Sequence, residues 1–199
     1  MQTLPLTRAL ISVTDKNGII EFGNALHQAG VELVSTGGTM RQLTQAGLPV
    51  RAVSEITGFP EILDGRVKTL HPAIHAGILA DKDDPGHLRT LQEHNIAAFD
   101  LICVNLYDFG KAVAHNQDLR QAVEEIDIGG PTLLRAAAKN FHSICVVPHP
   151  DWYPRIRQEI QDRAGAVGLE LRQQCAADTF AAVSRYDAMI ADYLRPHME

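Results

Sequence analysis

Val31-Glu32-Leu33-Val34-Ser35-Thr36-Gly37-Gly38-Thr39 is the stretch from which the fold is read. Val31–Val34 has the character of a short buried strand, and Ser35–Thr39 follows it directly as a glycine-rich turn. Met40 to Ala46 then has helical character, closed by Gly47. Strand, glycine turn and helix in that order leave free backbone N–H groups at a helix N-terminus, an arrangement that receives phosphate. Gly37 and Gly38 allow close backbone approach, and Ser35, Thr36 and Thr39 add hydroxyl donors. The turn is not a Walker A loop, because no Gly-Lys-Ser/Thr follows, and it lacks the third glycine of a dinucleotide fingerprint. An ordinary strand–helix turn with a threonine N-cap is the plainer alternative.

The same alternation continues on both sides. Ala9–Val13 is an apolar run ended by the turn Thr14-Asp15-Lys16-Asn17-Gly18, and Ile19 to Ala29 recurs at helical spacing until Gly30. Pro49 to Val53 reads as a strand, residues 86–95 as a helix, and Phe99–Leu106 and His142–Val147 as buried strands. Apolar strands separated by helices predict an α/β fold, a mostly parallel sheet with helices on both faces. In such sheets ligands collect beyond the carboxyl ends of the strands. Thr14 and Lys16, the Thr36–Thr39 turn, and Asn105 with Tyr107 each follow a predicted strand. From Ala166 to Leu194 an apolar face runs over roughly seven helical turns. This gives a helix packed on the core or facing a partner, with no catalytic constellation of its own. The expected organisation is one domain over residues 1–199, an α/β core at about 8–150 and a helical extension at about 151–199.

Bulk properties exclude several classes. The chain has 199 residues, 45% hydrophobic and 21% charged, with a formal net charge of −6. This is an ordinary globular composition, and the negative charge argues against nucleic acid or a membrane surface as partner. No apolar run approaches the roughly 18 residues that span a bilayer, and Met1–Arg8 has no signal-peptide core. Cys103, Cys145 and Cys175 are far apart in sequence and odd in number. They read as buried free thiols in a reducing, cytoplasmic setting, with no metal site.

Two further stretches carry chemistry. Gly65-Arg66-Val67-Lys68-Thr69-Leu70-His71-Pro72 places two cations in one segment amid Pro60, Gly65, Pro72 and Gly77, which reads as a long shaped loop. Two fixed cations so close call for an anion between them; a solvated basic turn is the alternative. Asp127-Ile128-Gly129-Gly130-Pro131 marks a helix start, and Leu133–Asn140 continues it. Asp127 is either a simple cap or a functional carboxylate, and Lys139 either compensates the helix dipole or serves the site. A straight helix from 130 to 139 would separate its ends by about 14 Å, at 1.5 Å per residue. For Asp127 and Lys139 to share one ligand, the loop must fold back or the lysine reach across.

Gly65–Pro72, Ser35–Thr39, Asn105-Leu106-Tyr107, Asp127–Gly130 and Leu133–Asn140 occur in the order and spacing of one family. From about Arg8 to Leu194 the chain resembles the IMP cyclohydrolase family, the N-terminal part of the bifunctional purine-biosynthesis (PurH) proteins. The resemblance implies a methylglyoxal-synthase-like fold and ring closure of 5-formamido-imidazole carboxamide ribotide (FAICAR) to IMP with loss of water, the last step of de novo purine biosynthesis. It implies Lys68 and Tyr107 at the formyl oxygen, and Asp127 and Lys139 at the carboxamide. Thr14, Asp15, Lys16, Thr36, Gly37, Gly38, Thr39, Arg66, Val67, Thr69, Asn105, Ile128, Gly129 and Gly130 would bind the nucleotide. A lysine near its ordinary 10.4 is a poor base at pH 7, so proton-relay work by either lysine requires a lowered pKa. The reaction needs no redox cofactor and no metal. Its intramolecular character lets positioning supply up to about 7–11 kcal/mol. The family's second activity, AICAR formyl transfer, is not expected of these residues. A second copy of the chain or a separate formyltransferase is the expected partner. Two departures stand out: Asp108 where the family commonly has proline, and Ala182-Val183-Ser184 where it has His-Thr-Ala. A methylglyoxal-synthase-like lyase or a non-catalytic nucleotide-sensing module are the competing readings.

Overall fold

The computed structural model describes residues 2–106, 109–110 and 118–195. Five strands, β2 Arg8–Ser12, β3 Glu32–Ser35, β4 Val50–Ala52, β5 Leu101–Val104 and β6 Cys145–Val147, form a parallel sheet in the order β4-β3-β2-β5-β6. All four residues of β5 are buried although alternate side chains leave opposite faces, so the sheet is covered on both sides. The chain winds outward from β2 through β3 to β4, then returns to the other side of β2 for β5 and β6. The order therefore reverses between β2 and β5, and in open α/β sheets the crevice at such a reversal is where ligands bind.

Among the described residues the helices are α1 Ile19–Gln28, α2 Gly37–Gln45, α3 Val53–Thr57, α4 Pro72–Leu79, α5 Pro85–Glu93, α6 Leu119–Glu124, α7 Gly129–Lys139, α8 Tyr153–Asp162 and α9 Leu169–Leu194. Several starts have a visible local cause. Pro72 and Pro85 occupy first helical positions, where a missing N–H costs nothing, and the His71 and Asp84 side chains accept the N–H groups of Ala73 and Gly86. The last third of the expected long loop from Pro60 to Gly77 is thus helix. Gly77 lies inside α4 because a Cβ there would stand 2.8 Å from the Ala97 carbonyl oxygen, against which the helix packs.

A second, two-stranded sheet has no counterpart in the sequence reading. β1 Thr3–Pro5 pairs antiparallel with β7 Ala166–Gly168, tying the start of the chain to the entrance of α9. Each strand has three residues, too short for a period to show. The long helix α9 then packs on α7 and β6, with Leu171, Cys175, Val183 and Tyr186 buried in the contact.

Aromatic and charged contacts close the core. Phe22 of α1 stacks on Tyr153 of α8, ring centroids 4.3 Å apart. Asp100, just before β5, accepts from Thr7 N (2.7 Å), Thr7 Oγ1 (2.6 Å) and Arg8 N (2.9 Å) and pairs with Lys82. It therefore fixes the amino ends of β2 and β5 side by side. Cys103, Cys145 and Cys175 are buried free thiols, as the sequence predicts. Burial pushes the Cys103 thiol up to about 12, which leaves it unreactive. Among the described residues no helix is long and apolar enough to cross a membrane.

Candidate active site

One cleft of about 1380 Å³ opens at the carboxyl ends of β2, β3 and β5. Three segments that are distant in sequence line it: the turns after β2 and β3, the stretch 63–70, and residues 123–130 leading into α7. Thr14 and Lys16, the Thr36–Thr39 turn and Asn105 therefore lie at strand ends that open on this cleft.

The anion end is built around the first turn of α2. The helix begins at Gly37, earlier than the sequence reading, so both glycines lie within its first turn and their N–H groups are free of intrahelical partners. Gly37 has φ +48, a left-handed conformation that disfavours other residues. A Cβ at Gly38 would stand 3.4 Å from Lys16 Nζ and 4.0 Å from Arg41 Nη2, and one at Gly37 would stand 3.9 Å from Lys68 Nζ. Three cations thus surround a positive helix end, which favours an anion strongly. Arg41 was not foreseen; its signal was its place three residues beyond Gly38 on the same helix face.

The hydroxyls divide. Ser35 Oγ is buried and donates to the Ile11 carbonyl at 2.6 Å. Thr39 Oγ1 accepts from Val13 N and donates to Val13 O, both at 3.0 Å. These two groups hold β2 against the helix start, which corrects the expectation that they serve as ligand donors. Thr36 Oγ1, with Ser12 Oγ at 3.1 Å, remains at the cleft.

Asn105 works in the same way at the sheet reversal. Its Oδ1 accepts from Thr14 N (2.7 Å), Thr14 Oγ1 (2.8 Å) and Asp15 N (3.0 Å), and its Nδ2 donates to Asp15 O (2.9 Å). The side chain after β5 thereby shapes the turn after β2. Asp15 does not line the cleft; its carboxylate accepts from Asn17 N at 3.0 Å.

The 62–70 stretch forms a tight excursion. Ile62 and Val67 exchange backbone hydrogen bonds, and Leu63, Asp64 and Gly65 between them have φ of 54°, 53° and 92°. Non-glycine residues at positive φ mark strain, and strain of this kind collects at functional sites. Arg66, Lys68 and Thr69 line the cleft and Val67 does not. The two cations do not share one anion. Arg66 pairs with Glu124 and Lys68 pairs with Glu61 at 2.9 Å.

Across the cleft, Asp127 Oδ1 accepts the Gly130 N–H at 2.9 Å. The capping reading is therefore realised, and the carboxylate still lines the cleft. A Cβ at Gly130 would lie 2.2 Å from Asp127 Oδ2, and one at Gly129 would lie 3.3 Å from Thr69 Oγ1. The two glycines are what let the carboxylate fold back and Thr69 approach. The Asp127 N–H donates to Tyr186 Oη of α9 at 2.8 Å. Burial raises the Tyr186 pKa, so the hydroxyl stays neutral. The C-terminal helix thus anchors a cleft residue, a role that its apolar periodicity did not announce.

Lys139 is not brought to this cleft. It is exposed at the last turn of α7, about 14 Å along the axis from Gly130 at 1.5 Å per residue. Of the two readings of Lys139, its position suits dipole compensation. Tyr107 and Asp108 lie outside the described residues. Ile128 completes the rim, 60% exposed, facing Leu63 at 64%.

Comparison with known proteins agrees with this architecture. The family model for the MGS-like domain matches residues 18–132, and that for the AICARFT/IMPCHase bienzyme matches residues 137–199. The chain is 50% identical over 190 residues to the bifunctional purine biosynthesis protein PurH of Acidithiobacillus ferrooxidans, covering 95% of this chain and 36% of that protein. It is 53% identical over 191 residues to PurH of Chloroflexus aurantiacus, covering 96% of this chain and 37% of the relative. The chain thus spans little more than a third of the curated relatives that it matches. A solved structure described as ForH superposes with a TM-score of 0.85 at 34% identity, covering 93% of this chain and 95% of that one. With one family model spanning more than half of it, a matching fold and PurH homologues along nearly its whole length, the chain belongs to the MGS-like domain family.

Proposed function

We propose that the cleft closes FAICAR to IMP with release of water. The observation that carries this reading is that Lys68 and Asp127 line one cleft, with Lys68 beside a cationic helix N-terminus. The roughly 50% identity to PurH proteins supports it.

The first turn of α2, with Lys16, Thr36 and Arg66, receives the 5′-phosphate. The apolar rim of Leu63, Val123 and Ile128 covers the imidazole. In ring closure the carboxamide nitrogen attacks the formyl carbon, forming the N–C bond while the carbonyl π pair moves to oxygen. Lys68 donates to that oxygen as charge develops. Asp127 accepts from the carboxamide N–H₂ and aligns its lone pair with the formyl carbon. The proton shed by the carboxamide nitrogen and the one shed by the former formamide nitrogen leave with the oxygen as water, and the C=N bond of IMP remains. Tyr107 enters this chemistry by way of the family resemblance alone. A homodimer or a formyltransferase domain or protein, as in the bifunctional relatives, is the partner proposed. Ultraviolet detection of IMP after incubation with FAICAR tests the reading; a chain that leaves FAICAR unchanged under saturating substrate contradicts it.

A further inference from the structure

The stretch Gly65–Pro72 supplies two cations, and each is neutralised by a carboxylate of its own. The two carboxylates occupy different places. Glu61 meets Lys68 over Gly65, where a Cβ would stand 2.6 Å from both Glu61 Oε1 and Lys68 Cε. Glu61 does not line the cleft, whereas Lys68 does. A ligand can therefore approach Lys68 with Glu61 still in place behind it. Glu124 is different, because it lines the cleft together with its partner Arg66.

Glu124 also sits in poor electrostatic surroundings. It is the last residue of α6, where the helix end is negative, and Glu125 and Asp127 follow closely. Its only opposite charge among the described ion pairs is Arg66. Both side chains are more than half exposed, at 65% and 51%, so the pair is screened and held weakly. A phosphate offers Arg66 a doubly charged, bidentate partner, which is the stronger of the two. Once Arg66 turns to it, like charge drives the Glu124 carboxylate away.

We propose that Glu124 is an internal counter-anion that a phosphate monoester displaces from Arg66, and that it thereby sets the affinity of the cleft for anionic ligands. The inference rests on reading the cleft as a nucleotide site. It goes beyond that reading by naming a residue that opposes binding. Glu124 is a specificity-determining residue: it favours ligands whose phosphate outcompetes a carboxylate over more weakly charged ones.

The test is calorimetric titration of ribose 5-phosphate, IMP and uncharged inosine into the wild-type chain, Glu124→Gln, Arg66→Ala and the double variant. Glu124→Gln is expected to tighten both phosphate ligands by about 3- to 10-fold, the scale of an exposed ion pair. Inosine should be unmoved, and the gain should vanish when Arg66 is also alanine. Equal or weaker phosphate binding by Glu124→Gln overturns the proposal, as does a parallel gain for inosine or a gain that survives in the double variant. Those results leave wild-type IMP binding intact and so leave the nucleotide-site reading standing. A wild-type chain that binds neither phosphate ligand removes both.

Discussion

Lys68 Nζ lies 2.9 Å from Glu61 Oε1, and the pair closes over the bare backbone of Gly65. The ammonium is thereby fixed from behind while its other side faces the cleft beside Gly37. From that position it can serve either a developing oxyanion or the ligand's phosphate, and the two roles have different signatures. Lys68→Ala should lower kcat by about 10²–10³, the cost of one oxyanion donor. IMP affinity should change by only a few-fold, as measured by titration. Equal losses in turnover and IMP affinity would make Lys68 a phosphate clamp.

Gly130→Ala separates site geometry from stability. The added methyl would sit 2.2 Å from Asp127 Oδ2, and what gives way is the end of a short side chain. The carboxylate swings out and the helix remains. Thermal unfolding should move by no more than a few degrees, a shift of about 1 kcal/mol, while turnover falls at least tenfold. A variant that unfolds much earlier, or keeps full activity, contradicts the link between Gly130 and the Asp127 carboxylate.

Tyr186→Phe removes the acceptor for the Asp127 N–H while preserving the packing of α9. Loss of one such hydrogen bond costs about 1 kcal/mol or more when the donor is left unpaired. The activity of Tyr186→Phe should fall beyond what its stability loss explains, with kcat affected more than KM. If steady-state kinetics of the folded variant match the wild type, α9 does not position Asp127.

Glu32 provides an acid-stability test. Its partial burial acts to raise its pKa, but hydrogen bonds from Arg51 and Arg8, at 2.7 and 2.5 Å, outweigh this and hold the carboxylate below its usual 4.5. A depressed folded-state pKa contributes stability that is present above the unfolded value and is lost as pH falls through the folded value. Glu32→Gln should therefore melt below the wild type at pH 7, by at most ~1 kcal/mol for so exposed a group. The two melting curves should converge as pH drops from 5 to 3. A difference that stays constant with pH removes the ion pairs as its cause.

Legibility in the sequence followed how local each signal was. The strand–glycine–helix unit at 32–45 could be read because strand, turn and helix succeed one another within fourteen positions. The parallel sheet followed from apolar runs such as Leu101–Val104. Strands of three residues, such as β1 and β7, carry no period, and α4 was hidden because Pro72 and Gly77 look like loop residues when their packing is unseen. In the site, residue types announced cations, glycines and hydroxyls but not their partners. Thr39 and Ser35 looked like ligand donors, yet their hydroxyls are spent on Val13 and Ile11 across 24 to 26 residues of sequence. Glu61, Glu124 and Tyr186 matter only through contacts that the fold creates, and a helix rising 1.5 Å per residue carries Lys139 away from Asp127.

The proposed ring closure uses side chains and backbone groups of the cleft and no metal ion. The direct measurement is the rate of IMP formation from FAICAR by the purified chain, followed by ultraviolet absorbance and confirmed by chromatography, before and after exhaustive metal chelation. Saturable conversion to IMP is expected, with no folate or added nucleotide and an unchanged rate after chelation. Tight IMP binding without any conversion, or conversion that stops on chelation and returns with a divalent metal, would contradict it.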